Sequence, residues 1–174
     1  LLNGIVLSST SLYLANRLAD DGQLANLGIG VGMLAGLMLG TRWLSDMVLG
    51  PIFGYVSDHR GRANTAAMTV VVLCMALIGV AWLPLMLAVV ALLVVFICDG
   101  GIYVVLSAAA SDAATRTDQP HTFVGVYTTG TDAGSALGPL LAFSLGTVVG
   151  LPVLYISGGI LLALAIFRYR QLVT

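Results

Sequence analysis

Apolar residues run along this chain in long unbroken stretches separated by short polar breaks. Thr65 to Leu83 and Leu85 to Cys98 show no apolar/polar alternation, the pattern that a strand of a membrane barrel would carry. A helix needs about 20 apolar residues to cross a hydrocarbon core of about 30 Å. Hydropathy and breaker residues together predict six helices, near residues 1–16, 25–57, 64–83, 85–110, 121–149 and 151–169. Tight turns are expected at Trp82-Leu83-Pro84 and Gly150-Leu151-Pro152, and longer polar connections after helices 1, 2 and 4. The predicted fold is an all-α membrane bundle occupying residues 1–174 as a single unit.

Composition sharpens that picture. Of 174 residues, 59% are hydrophobic and 9% charged, with a mean hydropathy of +1.02. A water-soluble domain carries about 25% charged residues, so a soluble globular fold is excluded. The net charge of −1 gives no footprint for nucleic acid. Cys74 and Cys98 lie inside apolar runs and read as small buried residues. His59 and His121 fall in polar connections without the neighbours of a metal site, so no metal, cofactor or catalytic centre is expected. No Met opens the chain and helix 1 is short, which reads as a piece of a longer protein.

All seven cations are Arg and all eight anions are Asp. Arg60, Arg62, Arg116, Arg168 and Arg170 gather at one side of the predicted topology, against Arg17 on the other. By the positive-inside rule the first side is cytoplasmic, and the C-terminus with it, in what would be a bacterial inner membrane.

Four ionisable residues fall within predicted spans: Arg42 and Asp46 on helix 2, Asp99 on helix 4 and Asp132 on helix 5. At a rise of about 1.5 Å per residue, Asp46 lies about 18 Å and Arg42 about 24 Å from Asp58 at the helix end. A charge at that depth costs about 2.5–3.5 kcal/mol on insertion scales, so each should face a partner or a wet cavity rather than lipid. Arg42 and Asp46, four residues apart, share a helix face. A static ion pair that fixes packing is one reading, and a substrate or proton pathway is the other. Three acids against one guanidinium favour the pathway, since surplus carboxylates in a poor solvent exchange protons readily. For Asp99 and Asp132 the competing reading is hydrogen bonding to a neighbouring helix.

Helices 1, 2, 4 and 5 carry the charges and the run Ser8-Ser9-Thr10-Ser11, and are expected to surround water, with helices 3 and 6 facing lipid. Gly32, Gly36 and Gly40 on helix 2 and Gly130, Gly134 and Gly138 on helix 5 form small faces for close packing. Pro139 is expected to bend helix 5, and Gly50-Pro51 to do something similar in helix 2.

The segment Gly54-Tyr55-Val56-Ser57-Asp58-His59-Arg60-Gly61-Arg62 resembles the signature loop of the major facilitator superfamily: glycine, three residues, aspartate, two residues, glycine, a basic residue. Gly130 through Pro139 is similar to the fifth helix of proton-driven antiporters in that superfamily. The resemblance implies one six-helix half of a twelve-helix secondary transporter, working by alternating access with the other half of the same chain. It also implies that Asp58, Arg60 and Arg62 form a charged cytoplasmic latch, with Gly54 permitting close approach and Gly61 the turn. Asp99 stands before Gly100 and Gly101 where many first halves carry a basic residue, which favours the second half.

The function implied is proton-coupled movement of a small solute, possible substrates being cationic or amphiphilic drugs for efflux, sugars or other metabolites. Its partners are the solute, protons, the bilayer and the other six-helix half. Two other classes compete. A non-transporting membrane scaffold or subunit would leave every buried charge paired and no wet cavity. An intramembrane aspartyl protease would pair Asp99 with Asp132, but neither sits in a Tyr-Asp or Gly-x-Gly-Asp setting.

Overall fold

The computed structural model describes residues 1–21 and 30–173, with the side chains of residues 19–21 and 173 left aside. Six helices follow one another: α1 (Leu2–Asp21), α2 (Val31–Arg60), α3 (Arg62–Trp82), α4 (Leu85–Ala114), α5 (Pro120–Val149) and α6 (Leu151–Val173). The expected start of helix 2 near residue 25 lies outside the described residues.

Several helices outrun their expected ends, because a polar residue stops a hydrophobic run without stopping a helix. α1 continues through Arg17, whose Nη2 donates to the Leu83 carbonyl and whose guanidinium lies 5.9 Å from the Tyr13 ring centroid. α4 continues through an alanine-rich tail to Ala114, and alanine is the best helix former. α2 ends only where Gly61 takes φ +86°, a backbone region essentially closed to other residues. Gly61→Ala should therefore cost about 1–3 kcal/mol, read as a lower thermal unfolding midpoint in detergent.

By length and composition, α3, α4, α5 and α6 qualify as membrane spans. α1 and α2 fall outside that set, as the sequence explains: Asn3 and residues 8–11 dilute α1, and Arg42 and Asp46 interrupt α2.

α3 shows how the core is built. Ala66, Val70, Leu73, Leu77 and Val80 recur at helical spacing and are buried, while Met68, Val71, Val72, Met75 and Ile78 on its other side are exposed. Both faces are apolar, as suits a helix with protein on one side and lipid on the other. α3 packs on α4 and α6, α1 on α5, and α2 on α4.

α1 departs from expectation. Ser9 and Thr10 are buried within the bundle and do not face a wet pathway. Their hydroxyls donate to the carbonyls of Ile5 and Val6, and Ser9 Oγ also lies 2.7 Å from Tyr155 Oη on α6. A hydroxyl satisfied by its own helix can be buried cheaply, so at Ser9 and Thr10 the polar run signals packing, while Ser11 is exposed.

α2 and α5 are the bare helices. α2 buries Ala35, Met38, Arg42 and Ser57, and α5 only Gly138 and Ala142. Large apolar side chains on both, among them Leu37, Trp43, Met47, Val126 and Leu140, are left uncovered.

Glycine pairing follows the same division. Nothing lies within 4 Å of where a Cβ would stand at Gly32, Gly36, Gly40, Gly54 or Gly130, so these small faces do not serve packing inside the bundle. Gly138 differs: an added Cβ would lie 2.5 Å from the backbone of Gly4 on α1. α5 runs as one helix through Pro139, and α2 as one helix through Pro51.

Candidate transport site

The α2–α4 contact is shaped by two glycines. A Cβ on Gly100 would stand 1.9 Å from Asp46 Oδ1, and one on Gly101 would stand 2.5 Å from the Phe53 ring. These residues are therefore slots in α4, one receiving the Asp46 carboxyl group and the other the Phe53 ring, about two turns further along α2. Gly101→Ala should separate the helices, and Phe53→Ala should restore part of the lost stability. The check is a double-mutant cycle on thermal unfolding.

Seating α2 in these slots brings Arg42 against α4. Arg42 is 8% exposed, and its Nη1 donates to Asp99 Oδ2 at 2.9 Å. Its Nε lies 3.9 Å from Asp46 Oδ2, close enough for Coulombic attraction and too far for a hydrogen bond. That Nε is buried and has no hydrogen-bond acceptor. Asn3 of α1 closes the cluster by donating from Nδ2 to the same Asp99 oxygen that Arg42 engages. Phe96 and Trp43 flank the guanidinium, with ring centroids 5.9 and 6.0 Å from Cζ.

One cation thus stands between two carboxylates on different helices, with one bond made and one donor unspent. On the α1 side, Leu2, Val6, Leu73 and Val95 close over the cluster and leave no water-sized space. Asp46 is 30% exposed, so access comes from the uncovered face of α2. The wet cavity expected among helices 1, 2, 4 and 5 does not reach the inner side of the cluster.

Three of the four intramembrane charges are brought together and the fourth is not. Asp132 stands on the exposed side of α5, with no side-chain hydrogen bond or ion pair among the described residues. No hydrogen bond joins Asp99 to Asp132 among the described residues.

At the arginine-rich end, Arg62 makes the connections. It pairs with Asp58 at 2.6 Å and with Asp112 of α4 at 3.0 Å, and its Nη1 donates to Ser57 Oγ at 2.6 Å. Asp58 and Arg62 therefore meet across the Gly61 turn. Arg60 does not join them, and its side chain has no ion pair among the described residues. Asp112 was not singled out from the sequence, and neither was Asn3. The only signal for either was a polar residue facing an apolar turn, and many such residues are inert.

Asp112→Asn should cost less than about 1 kcal/mol in stability, because both carboxylates are more than half exposed and solvated pairs are weak. Thermal unfolding of the variant checks this.

The family model of the Major Facilitator Superfamily matches residues 1–173. The chain belongs to the major facilitator superfamily. Its six helices in 174 residues have the size of one half of such a transporter. Neither the curated proteins nor the solved structures give a match. Members of this superfamily are transporters, and this one is an integral membrane protein of that kind.

Proposed function

We propose that this bundle is one half of a secondary transporter that moves a small solute by alternating access and couples it to protons through Arg42, Asp46 and Asp99. The observation that carries the reading is the buried guanidinium held by Asp99 while its Nε points, unbonded, toward Asp46. A finished structural ion pair spends its donors, and a buried polar group left unspent calls for an explanation in function. If Asp99 takes up a proton, Arg42 loses its main countercharge and Asp46 becomes the better partner. Asp46 sits on α2 and Asp99 on α4, so exchange of partners changes the force between those two helices.

The uncovered faces of α2 and α5 support a second six-helix half seated against them, with the solute between. Asp132, on the bare side of α5, would then face that solute space. The charged turn of Asp58, Arg62 and Asp112 is a latch: its pairs are part-exposed and can break and reform at little cost. The arginine-rich end is read as cytoplasmic, the membrane as a bacterial inner membrane, and the bundle as the second half of the parent. The substrate class favoured by surplus acid and exposed Met, Trp and Tyr side chains is a cationic or amphiphilic compound exported from the cell.

The test is proton-driven flux of the whole transporter in liposomes, under an imposed pH gradient, with a panel of cationic dyes. Asp99→Asn, Asp46→Asn and Asp132→Asn are compared with the wild type. Loss of gradient-driven flux with downhill exchange retained, in Asp99→Asn above all, is the expected result. Gradient-driven flux in all three variants overturns the proton route, and failure of the wild type to move any dye removes the drug-export class.

A further inference from the structure

We propose that a cleft at the arginine-rich end of the bundle binds an anionic phospholipid, with its phosphate at Arg116 and its acyl part against the apolar wall behind. This goes beyond the transport reading and stands without it.

The cleft has a volume of about 540 Å³ and lies where the ends of α3, α4, α5 and α6 converge. Its wall is apolar: Leu106, Ala109, Ala110 and Ala113 of α4 face Phe123 of α5. Leu106 lies about 12 Å along α4 from Ala114, so the cleft runs inward from the helix ends by more than two turns. The mouth differs in kind. Arg116 and Arg62 stand there with Asn64 and Tyr169, and Asp112 is the acid among the lining residues.

Asp112 is already engaged by Arg62, which also holds Asp58. The Arg116 side chain is exposed and has no hydrogen bond or ion pair among the described residues. One cation at the rim is therefore unspent, over an apolar shaft at the end of membrane-length helices. Tyr169 adds the amphipathic ring that favours the headgroup level. An apolar shaft alone would say little about its occupant. A free guanidinium at its mouth selects an amphiphile with an anionic head, and a guanidinium binds phosphate through paired donors.

The experiment measures the thermal unfolding midpoint of the whole transporter in detergent during titration with dioleoyl phosphatidylglycerol, dioleoyl phosphatidylcholine or inorganic phosphate. Phosphatidylglycerol should raise the midpoint saturably, with the other two much weaker. Arg116→Ala should weaken half-saturation about fivefold, the share of one arginine at a charged membrane surface. Ala110→Phe, which fills the shaft and keeps the charge, should also weaken it. Arg168→Ala removes an exposed cation that does not line the cleft and should leave the titration unchanged.

Wild-type titration curves for both Arg116→Ala and Ala110→Phe overturn the proposal. So does an equal loss in Arg168→Ala, which would mean general electrostatic attraction, or equal stabilisation by inorganic phosphate, which would mean a soluble anion. A photoreactive group carried on Asn64→Cys separates the remaining occupant. An adduct with phosphatidylglycerol supports the lipid, and an adduct with another segment of the polypeptide overturns it.

Discussion

The double variant Asp46→Asn/Asp99→Asn is expected to lose about 3–5 kcal/mol of stability, the cost of a buried charge stripped of its partners. Each single variant should lose much less. In Asp99→Asn the amide oxygen still accepts from Arg42 Nη1, and Asp46, 3.9 Å from Nε, still neutralises the guanidinium. In Asp46→Asn the 2.9 Å bond to Asp99 is untouched. Only the double variant leaves Arg42, 8% exposed, without a countercharge. Non-additivity of this kind is the signature of two carboxylates serving one cation. The measurement is a double-mutant cycle on the thermal midpoint of the purified transporter. Additive losses would mean that Asp46 contributes nothing to holding Arg42, and the partner-exchange mechanism would go with it. Because the cycle reads stability alone, it tests the site before any substrate is known.

The sequence was legible where one physical rule acted alone. Solvent choice followed from charge content, and six helices from run length, because lipid imposes one demand on every residue it touches. The turn at Gly61 was legible through the resemblance of its segment to a family motif, and its φ of +86° lies in a backbone region open mainly to glycine. Arg42 and Asp46 could be paired from spacing on one helix.

What could not be read was the partner across helices. Nothing in spacing tells that Asp99 is closer to Arg42 than Asp46 is, or that Asn3 completes the cluster. The clue was present in Gly100 and Gly101, which in the sequence served only to mark the place of Asp99 against a family pattern. In the bundle they are the slots that let α2 approach α4. Small residues announce that something comes close and leave its identity to the fold. Ser9 and Thr10 failed in the opposite sense: a hydroxyl run looks wet in sequence, but back-bonding to the preceding turn makes it compatible with the core.

Glycine identity alone therefore predicts little, and the contrast between Gly138 and Gly130 makes the point measurable. Gly138→Ala would place its Cβ 2.5 Å from the Gly4 carbonyl carbon and Cα, where no side chain can rotate aside. α1 and α5 would have to move apart, at an expected cost of about 3 kcal/mol, the upper part of the range for overpacking a core. The crossing is tight for a reason that also involves Pro139. Having no N–H, Pro139 leaves the Ser135 carbonyl without its usual intrahelical donor, and that oxygen is the atom nearest to where Gly4 would carry a Cβ. The close backbone of α1 thus packs over a carbonyl that α5 cannot satisfy by itself, a setting in which Cα–H···O contacts contribute. Gly130→Ala, two turns away with open space around it, should be neutral or stabilising by up to about 1 kcal/mol, because alanine holds a helix better than glycine. Both variants add the same methyl group to the same helix. Thermal unfolding of the pair in one detergent decides the matter: equal effects at the two positions would mean that α1 and α5 do not cross at Gly4 and Gly138.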